Sequence, residues 1–202
     1  MKTFISFIPR QPEGRLAAVT YEPVDNELLA YGPTCFPIIP VINGYCDEGE
    51  PIRMLLIVED YENCRRNADV FRREFKDLCE KKKLNCAGIE ELQVPFDDSA
   101  ATHIATFRAL TENIHDGDEL HACITYGSKP SPMVELMALR YARQLKKGTY
   151  ISCVVYGQID HLTHTAKIYD ETPLAKLDDM MRVLIDGKIP NPERMLSHIL
   201  DR

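Results

Sequence analysis

Short apolar stretches alternating with amphipathic stretches of helical period predict an α/β fold. The expected form is Rossmann-like: a mostly parallel central sheet, helices on both faces and a C-terminal antiparallel hairpin strand. Three observations carry this. Met54–Val58 and Ile151–Tyr156 are near-continuous apolar runs, as strands buried on both faces of a parallel sheet require. Asn63–Lys83 sets Ala68, Phe71, Phe75 and Leu78 on one face of a helix. Tyr150–Tyr156 and Thr163–Tyr169 are joined by a connection short enough for an antiparallel hairpin.

Taken in order, Thr3–Ile8 is a β-branched and aromatic run stopped by Pro9, a buried strand with a loop, Pro9–Arg15, behind it. Leu16–Tyr21 reads as a second, shorter strand. Pro33–Gly44 is apolar, but Pro37 and Pro40 predict a broken helix rather than a regular one. Ile52–Val58 is a strand, followed by the Asn63–Lys83 helix, whose other face carries Arg65, Arg66, Arg72, Arg73 and Lys76 among acidic neighbours, the pattern of a solvated surface. Ile89–Val94 is the next strand. Ser99 caps a helix with Ile104, Phe107, Leu110 and Ile114 inward. Then come the strand Leu120–Tyr126, the turn Gly127–Lys129, a helix Pro132–Lys147 and the hairpin. Pro173–Ile185 and Pro192–Leu200 read as terminal helices, so the chain divides into residues 1–170 and a helical extension, 171–202.

A length of 202 residues with 45% hydrophobic and 27% charged residues suits one sizeable globular domain. The net charge of −7 argues against a broad footprint for duplex nucleic acid, which needs surplus Lys and Arg. The N-terminal MKTFISFIPR is too short in apolar residues for a signal peptide, and no apolar run approaches a membrane span, so a cytoplasmic protein is expected. Seven cysteines without a CxxC pair read as free buried thiols.

The stretch Leu120–Met133, LHACITYGSKPSPM, concentrates the functional signal. A strand, a tight turn with one glycine and one lysine, and a helix start together make an anion-binding arrangement: backbone N–H groups, the helix dipole and a full positive charge converge. It is not a Walker A loop, and no GxGxxG follows a strand, so the common ATPase and dinucleotide readings lose their support. In a parallel sheet, ligands bind beyond the carboxyl ends of the strands at a switch point. If the first strand lies beside Leu120–Tyr126, then Pro9, Arg10 and Gln11 reach the same rim as Thr125, Tyr126, Gly127, Ser128 and Lys129. His161 and His164, near Asp160 and Asp170, have no helical ligand spacing, and no metal site or cofactor is expected. No nucleophile elbow is present.

The run Gly117-Asp118-Glu119-Leu120 through Ile124-Thr125-Tyr126-Gly127-Ser128-Lys129-Pro130, followed by a helix with Met133, resembles the CARF domain (CRISPR-associated Rossmann fold). In that family a strand ends in Asp-x-Thr/Ser-x-Gly-x-Arg/Lys before a helix, and the first strand ends in a second ligand-contacting loop. Carried over by position, Thr125, Gly127, Ser128 and Lys129 fall on the former and Pro9, Arg10 and Gln11 on the latter. Cys123 stands where many members have Asp, which puts any role of that carboxylate in doubt.

The resemblance implies a homodimer that binds a cyclic oligoadenylate (tetra- or hexa-adenylate) across its two-fold axis, in type III CRISPR antiviral defence. Only 33 residues follow Tyr169, too few for the helical nuclease domain of the family's ribonucleases, so the expectation is either a sensor whose effector partner or domain lies outside this chain or a stand-alone CARF protein. Two alternatives stand beside this reading. One is a metal-independent ring nuclease in which Lys129 or Arg10 stabilises charge on the reacting phosphorus. The other is an α/β protein that binds an ordinary nucleotide or phosphate metabolite at the same turn.

Overall fold

The structure, a computed structural model, describes residues 1–160 and 165–200, with the side chains of 199 and 200 left out. It is α/β, as expected. The elements run β1 (Lys2–Phe7), β2 (Tyr21–Pro23), α1 (Ile38–Tyr45), β3 (Pro51–Glu59), α2 (Glu62–Lys82), β4 (Asn85–Val94), α3 (Ala100–Glu112), β5 (Glu119–Cys123), α4 (Ser131–Leu145), β6 (Tyr150–Asp160), β7 (Thr165–Asp170), α5 (Thr172–Asp186) and α6 (Pro192–Leu200). Among the described residues no helix is long and apolar enough to cross a membrane.

Seven strands form one sheet in the order β2-β7-β6-β5-β1-β3-β4. Every neighbouring pair is parallel except β6 and β7, the expected hairpin. The chain winds from β1 outward through β3 and β4, then returns to lay β5 on the other side of β1, where Lys2 faces Glu119 and Ser6 faces Cys123. The direction of winding therefore reverses between β1 and β5, and the crevice of such a sheet opens beyond their carboxyl ends. That places the loop after β1 beside the turn after β5.

The core explains the order. Phe4, Ile5 and Phe7 of β1, Met54 to Val58 of β3 and Leu120, Ala122 and Cys123 of β5 are all buried, because helices cover these strands on both faces. α2 packs Cys64, Ala68, Phe71, Phe75 and Leu78 inward, and its arginines meet acids at the surface: Arg72 with Glu91 and Asp69, Arg66 with Glu13. One buried ion pair, Arg53 Nη2 to Asp118 Oδ2 at 2.7 Å, holds the amino-terminal edge, away from the crevice.

Several expectations change. The second strand is Tyr21–Pro23 at the sheet edge rather than Leu16–Tyr21; Val19 makes only an isolated bridge to Thr34. α1 is regular despite Pro40, because Pro40 lies in the first turn, where its missing N–H has no intrahelical partner to lose. Gly44 closes that helix against Leu28, whose carbonyl oxygen would lie 1.9 Å from a Cβ. Leu110 of α3 and Ile114 just after it are buried as expected, but Ile104 of α3 is 55% exposed. Cys79 and Cys86 form a disulfide between the end of α2 and the start of β4, against the expectation of free thiols throughout. Cys35, Cys46, Cys64, Cys123 and Cys153 are free and buried, and burial pushes each thiol up, to about 11 for Cys64 and Cys123 and about 12 for the rest.

The C-terminal extension is tied to the sheet. The Thr172 hydroxyl accepts from Val154 N at 2.9 Å, the Glu171 N–H donates to Val154 O at 2.7 Å, and Arg140 and Arg143 of α4 pair with Asp178 and Asp179 of α5.

Candidate functional site

β5 ends at Cys123, Ile124 adds one more ladder bond to Val155 O, and the chain turns through Thr125–Pro130 into α4. Gly127 holds φ at +97°, and a Cβ there would lie 2.6 Å from Ser131 Cβ. Glycine is therefore required both by conformation and by space. Ser131 closes the turn: its Oγ accepts from Ser128 N at 2.9 Å and its N–H donates to Ser128 O at 3.0 Å.

This closure uses donors that an anion would otherwise find. The N–H groups of Ser128, Ser131 and Val134 are engaged within the turn, and Pro130 and Pro132 have none. Full positive charge at the turn rests on Lys129, beside the α4 dipole, while the N–H groups of Gly127 and Lys129 make no hydrogen bond among the described residues. Lys129 is exposed and has no ion-pair partner among the described residues.

The other residues of the expected motif face inward. Thr125 Oγ1 accepts from Gly157 N at 2.8 Å and from Cys123 Sγ at 3.2 Å, fastening the turn to β6. Tyr126 is buried, packs edge-on to Phe36 and donates to Cys35 O at 2.8 Å, and burial raises its phenol well above the usual value. Ser128 is buried, with its Oγ 3.1 Å from Ser131 Oγ.

After β1, Pro9 is buried and its carbonyl accepts from Asn67 Nδ2 at 2.9 Å; the same amide reaches Gln11 O at 2.9 Å. Gln11 Oε1 is buried without a partner. Arg10 does not extend toward the turn as a free cation. Its Nε donates to Glu59 Oε2 at 2.5 Å, its Nη2 reaches Glu59 Oε1 and Asp98 Oδ1, and its guanidinium lies 4.7 Å over the Phe96 ring. These bonds raise the Arg10 pKa and hold the Asp98 carboxyl below its usual range. Phe96 in turn stacks on Tyr61.

The structure thus brings Pro9–Gln11 and Thr125–Lys129 to one rim, through the β1–β5 pairing, but leaves Lys129 as their one exposed, unpaired cation. It also brings in Glu59 and Asp98, which hold Arg10, and His103, which sequence reading passed over. The His103 Nε2 lies 3.5 Å from Ser128 Oγ, with Asp97 and Asp98 close enough to act on it electrostatically. The Ser99 cap was the available signal, since His103 lies one turn after it, at the same end of the sheet. His161 and His164 lie outside the described residues. Asp170 accepts from Asn26 Nδ2 and Thr172 N, both structural bonds, and the described residues hold no group of three metal-ligating side chains.

Two large clefts adjoin the rim, beside a small one lined by Phe7, Glu59, Asp97, His103 and Ser131. One, of about 700 Å³, lies between the 11–19 loop, Tyr126 and the end of β6; the other, of about 540 Å³, lies between α3 and α4. The sequence matches no family model and no curated protein.

Proposed function

We propose that this chain is a cyclic-oligoadenylate sensor of CRISPR antiviral defence, acting as a homodimer that holds one ring across its two-fold axis and controls an attached or partner effector. The observation that carries the reading is Lys129. It is an exposed cation on a glycine turn at the start of a helix, beside the β1–β5 reversal where ligands of parallel sheets bind. A ring of repeating phosphates suits two symmetric copies of such a turn. It also reconciles a phosphate ligand with a chain of net charge −7, since only the local rim must be positive. Calorimetry with cyclic tetra- and hexa-adenylate tests the proposal. Binding to either is expected; a folded protein that binds neither but is stabilised by a mononucleotide turns the reading toward an ordinary nucleotide protein.

A second reading, a metal-independent ring nuclease, is favoured by His103. In it the ribose 2′-oxygen attacks phosphorus, the bond from phosphorus to O5′ breaks, His103 takes the 2′-proton and the leaving oxygen takes a proton from water. The products are a 2′,3′-cyclic phosphate and a 5′-hydroxyl. Incubating the ring with protein in EDTA decides it: an intact ring retires this reading and leaves binding untouched.

A further inference from the structure

α3 and α4 lie side by side, but their side chains do not fill the space between them. α3 turns Thr106 and Leu110 to the interior, and α4 turns Val134, Ala138 and Leu139. Ile104 and Phe107 on one helix and Met133 and Met137 on the other are left as walls of a cleft of about 540 Å³. That size lies within the roughly 300–1,000 Å³ of small-molecule sites, which are likewise mostly apolar with a few polar groups. Beyond Met137, Phe107 packs on Tyr141 with 5.4 Å between ring centroids, and the pair bounds that end.

The walls carry two polar side chains, His103 and Arg108, and no carboxylate. His103 stands at the end nearer the rim, where Asp97 and Asp98 act on it. Arg108 stands at the other end, exposed and without an ion-pair partner among the described residues; Glu112, one turn further, makes no ion pair with it. Arg140 and Arg143 of α4 are taken by Asp178 and Asp179 of α5, at 3.1 and 2.6 Å. Arg108 therefore offers this cleft an uncommitted guanidinium beside apolar walls.

From this we infer that the α3–α4 cleft binds a monomeric organic anion, an alkyl or aryl carboxylate. Its apolar part lies between the two helices and its head is held by Arg108. Methionine walls suit such a ligand, because unbranched thioether side chains adapt to apolar groups of differing shape. A guanidinium takes a carboxylate through two parallel N–H···O bonds, a geometry that a lysine does not offer. The head belongs at the Arg108 end, since at the His103 end it would face Asp97 and Asp98. The inference does not rest on the reading of Lys129: it concerns a different ligand at a different place.

Calorimetry of the full chain with hexanoate, octanoate and decanoate tests it, with octanamide as the uncharged comparison. All three acids should bind, each added methylene tightening binding about two- to fourfold. Ile104→Glu and Met137→Glu, at exposed wall positions, should weaken octanoate at least tenfold with an unchanged circular dichroism spectrum. Leu174→Glu, an equally exposed apolar residue of α5, should leave it unchanged. Arg108→Ala should weaken octanoate about tenfold and octanamide little, and Arg108→Lys should recover only part of the loss. No binding at any chain length, whether or not a second copy covers the cleft, overturns the inference. So does a wall variant that binds octanoate as wild type does, an Arg108→Ala loss equal for acid and amide, or binding to phosphatidylglycerol vesicles without binding to the free acids.

Discussion

The guanidinium of Arg10 is seated on the carboxylate of Glu59, which is only 4% exposed, with Nε to Oε2 at 2.5 Å and a second bond from Nη2. This pair joins the loop after β1 to the end of β3 and keeps Arg10 from reaching outward. Removing the arginine leaves a carboxylate buried and unpaired. Arg10 is partly exposed, so the loss falls below that of a fully buried pair, and Arg10→Ala is expected to destabilise by about 2 kcal/mol. Arg10→Ala with Glu59→Gln should recover most of it. Urea titration of wild type and the two variants reads this directly. An Arg10→Ala variant of unchanged stability but weakened ring binding would make Arg10 a ligand residue instead.

Gly127 is the second test of the rim. Its φ of +97° and the 2.6 Å approach to Ser131 Cβ mean that Gly127→Ala adds both backbone strain and a contact that one side must yield. The left-handed region alone costs a non-glycine residue roughly 1–2 kcal/mol. The expected loss is about 2–3 kcal/mol in chemical denaturation. Combining it with Ser131→Gly should return part of that loss, since the clashing atoms are then gone. Equal losses with and without the serine would show that the close contact does not matter.

Much of this arrangement could be read from residues alone. The apolar runs around Met54 and Ile151 define central strands because burial on both faces leaves little choice of side chain, and the turn at Gly127 declares itself by its glycine. What escaped depends on contacts distant in sequence. Arg10 read as a free cation because Glu59 and Asp98 lie far along the chain. Ile104 read as core because period alone does not say whether a helix face meets the sheet or a further partner. Pro40 read as a breaker because its effect turns on its position within the helix, which the pattern does not resolve to a residue. The disulfide was missed because a spacing of seven says nothing of whether a helix end and a strand start bring two thiols together.

That disulfide makes its own prediction. Cys79 and Cys86 close a short loop, for which chain entropy predicts roughly 2 kcal/mol of stabilisation. For a chain of this length that is a fall in Tm of roughly 4–8 °C. Thermal melts with and without a thiol reductant should differ by this amount in wild type and not at all in Cys79→Ser. Identical melts of wild type with and without reductant would remove any stabilising role.

Two buried groups give stability a pH dependence from both sides. Glu135 is fully buried, neither carboxyl oxygen has a partner, and burial raises its pKa well above the carboxylate range. Its contribution is therefore complete below the unfolded value near 4.5 and is lost as pH rises through the raised folded one. His121 is buried against Phe4 and Tyr45, and burial lowers its pKa to about 4 despite Glu119. Its contribution is complete above the unfolded value near 6.5 and is lost as pH falls toward 4. Glu135→Gln should therefore stabilise at pH 8 more than at pH 5, whereas the fall of wild-type stability between pH 6.5 and 4 should remain in that variant. Tm measured across this range for both proteins checks the two slopes separately.

Lys129 carries the last prediction because several of the turn's other donors are already engaged. With the Ser128, Ser131 and Val134 N–H groups bonded within the turn and Pro130 and Pro132 lacking donors, the Lys129 side chain is the one full positive charge the turn offers, beside the helix dipole and the N–H groups of Gly127 and Lys129. Lys129→Ala should weaken cyclic oligoadenylate binding by at least tenfold, about 1.4 kcal/mol, with Tm unchanged, since no partner is left behind. Lys147, exposed beyond the far end of α4, gives the comparison: Lys147→Ala changes net charge equally and should leave affinity within a factor of two or three. The wild-type affinity should also fall with added salt, and less steeply in Lys129→Ala. Equal effects of the two alanines would mean that overall charge, rather than the turn, attracts the ligand.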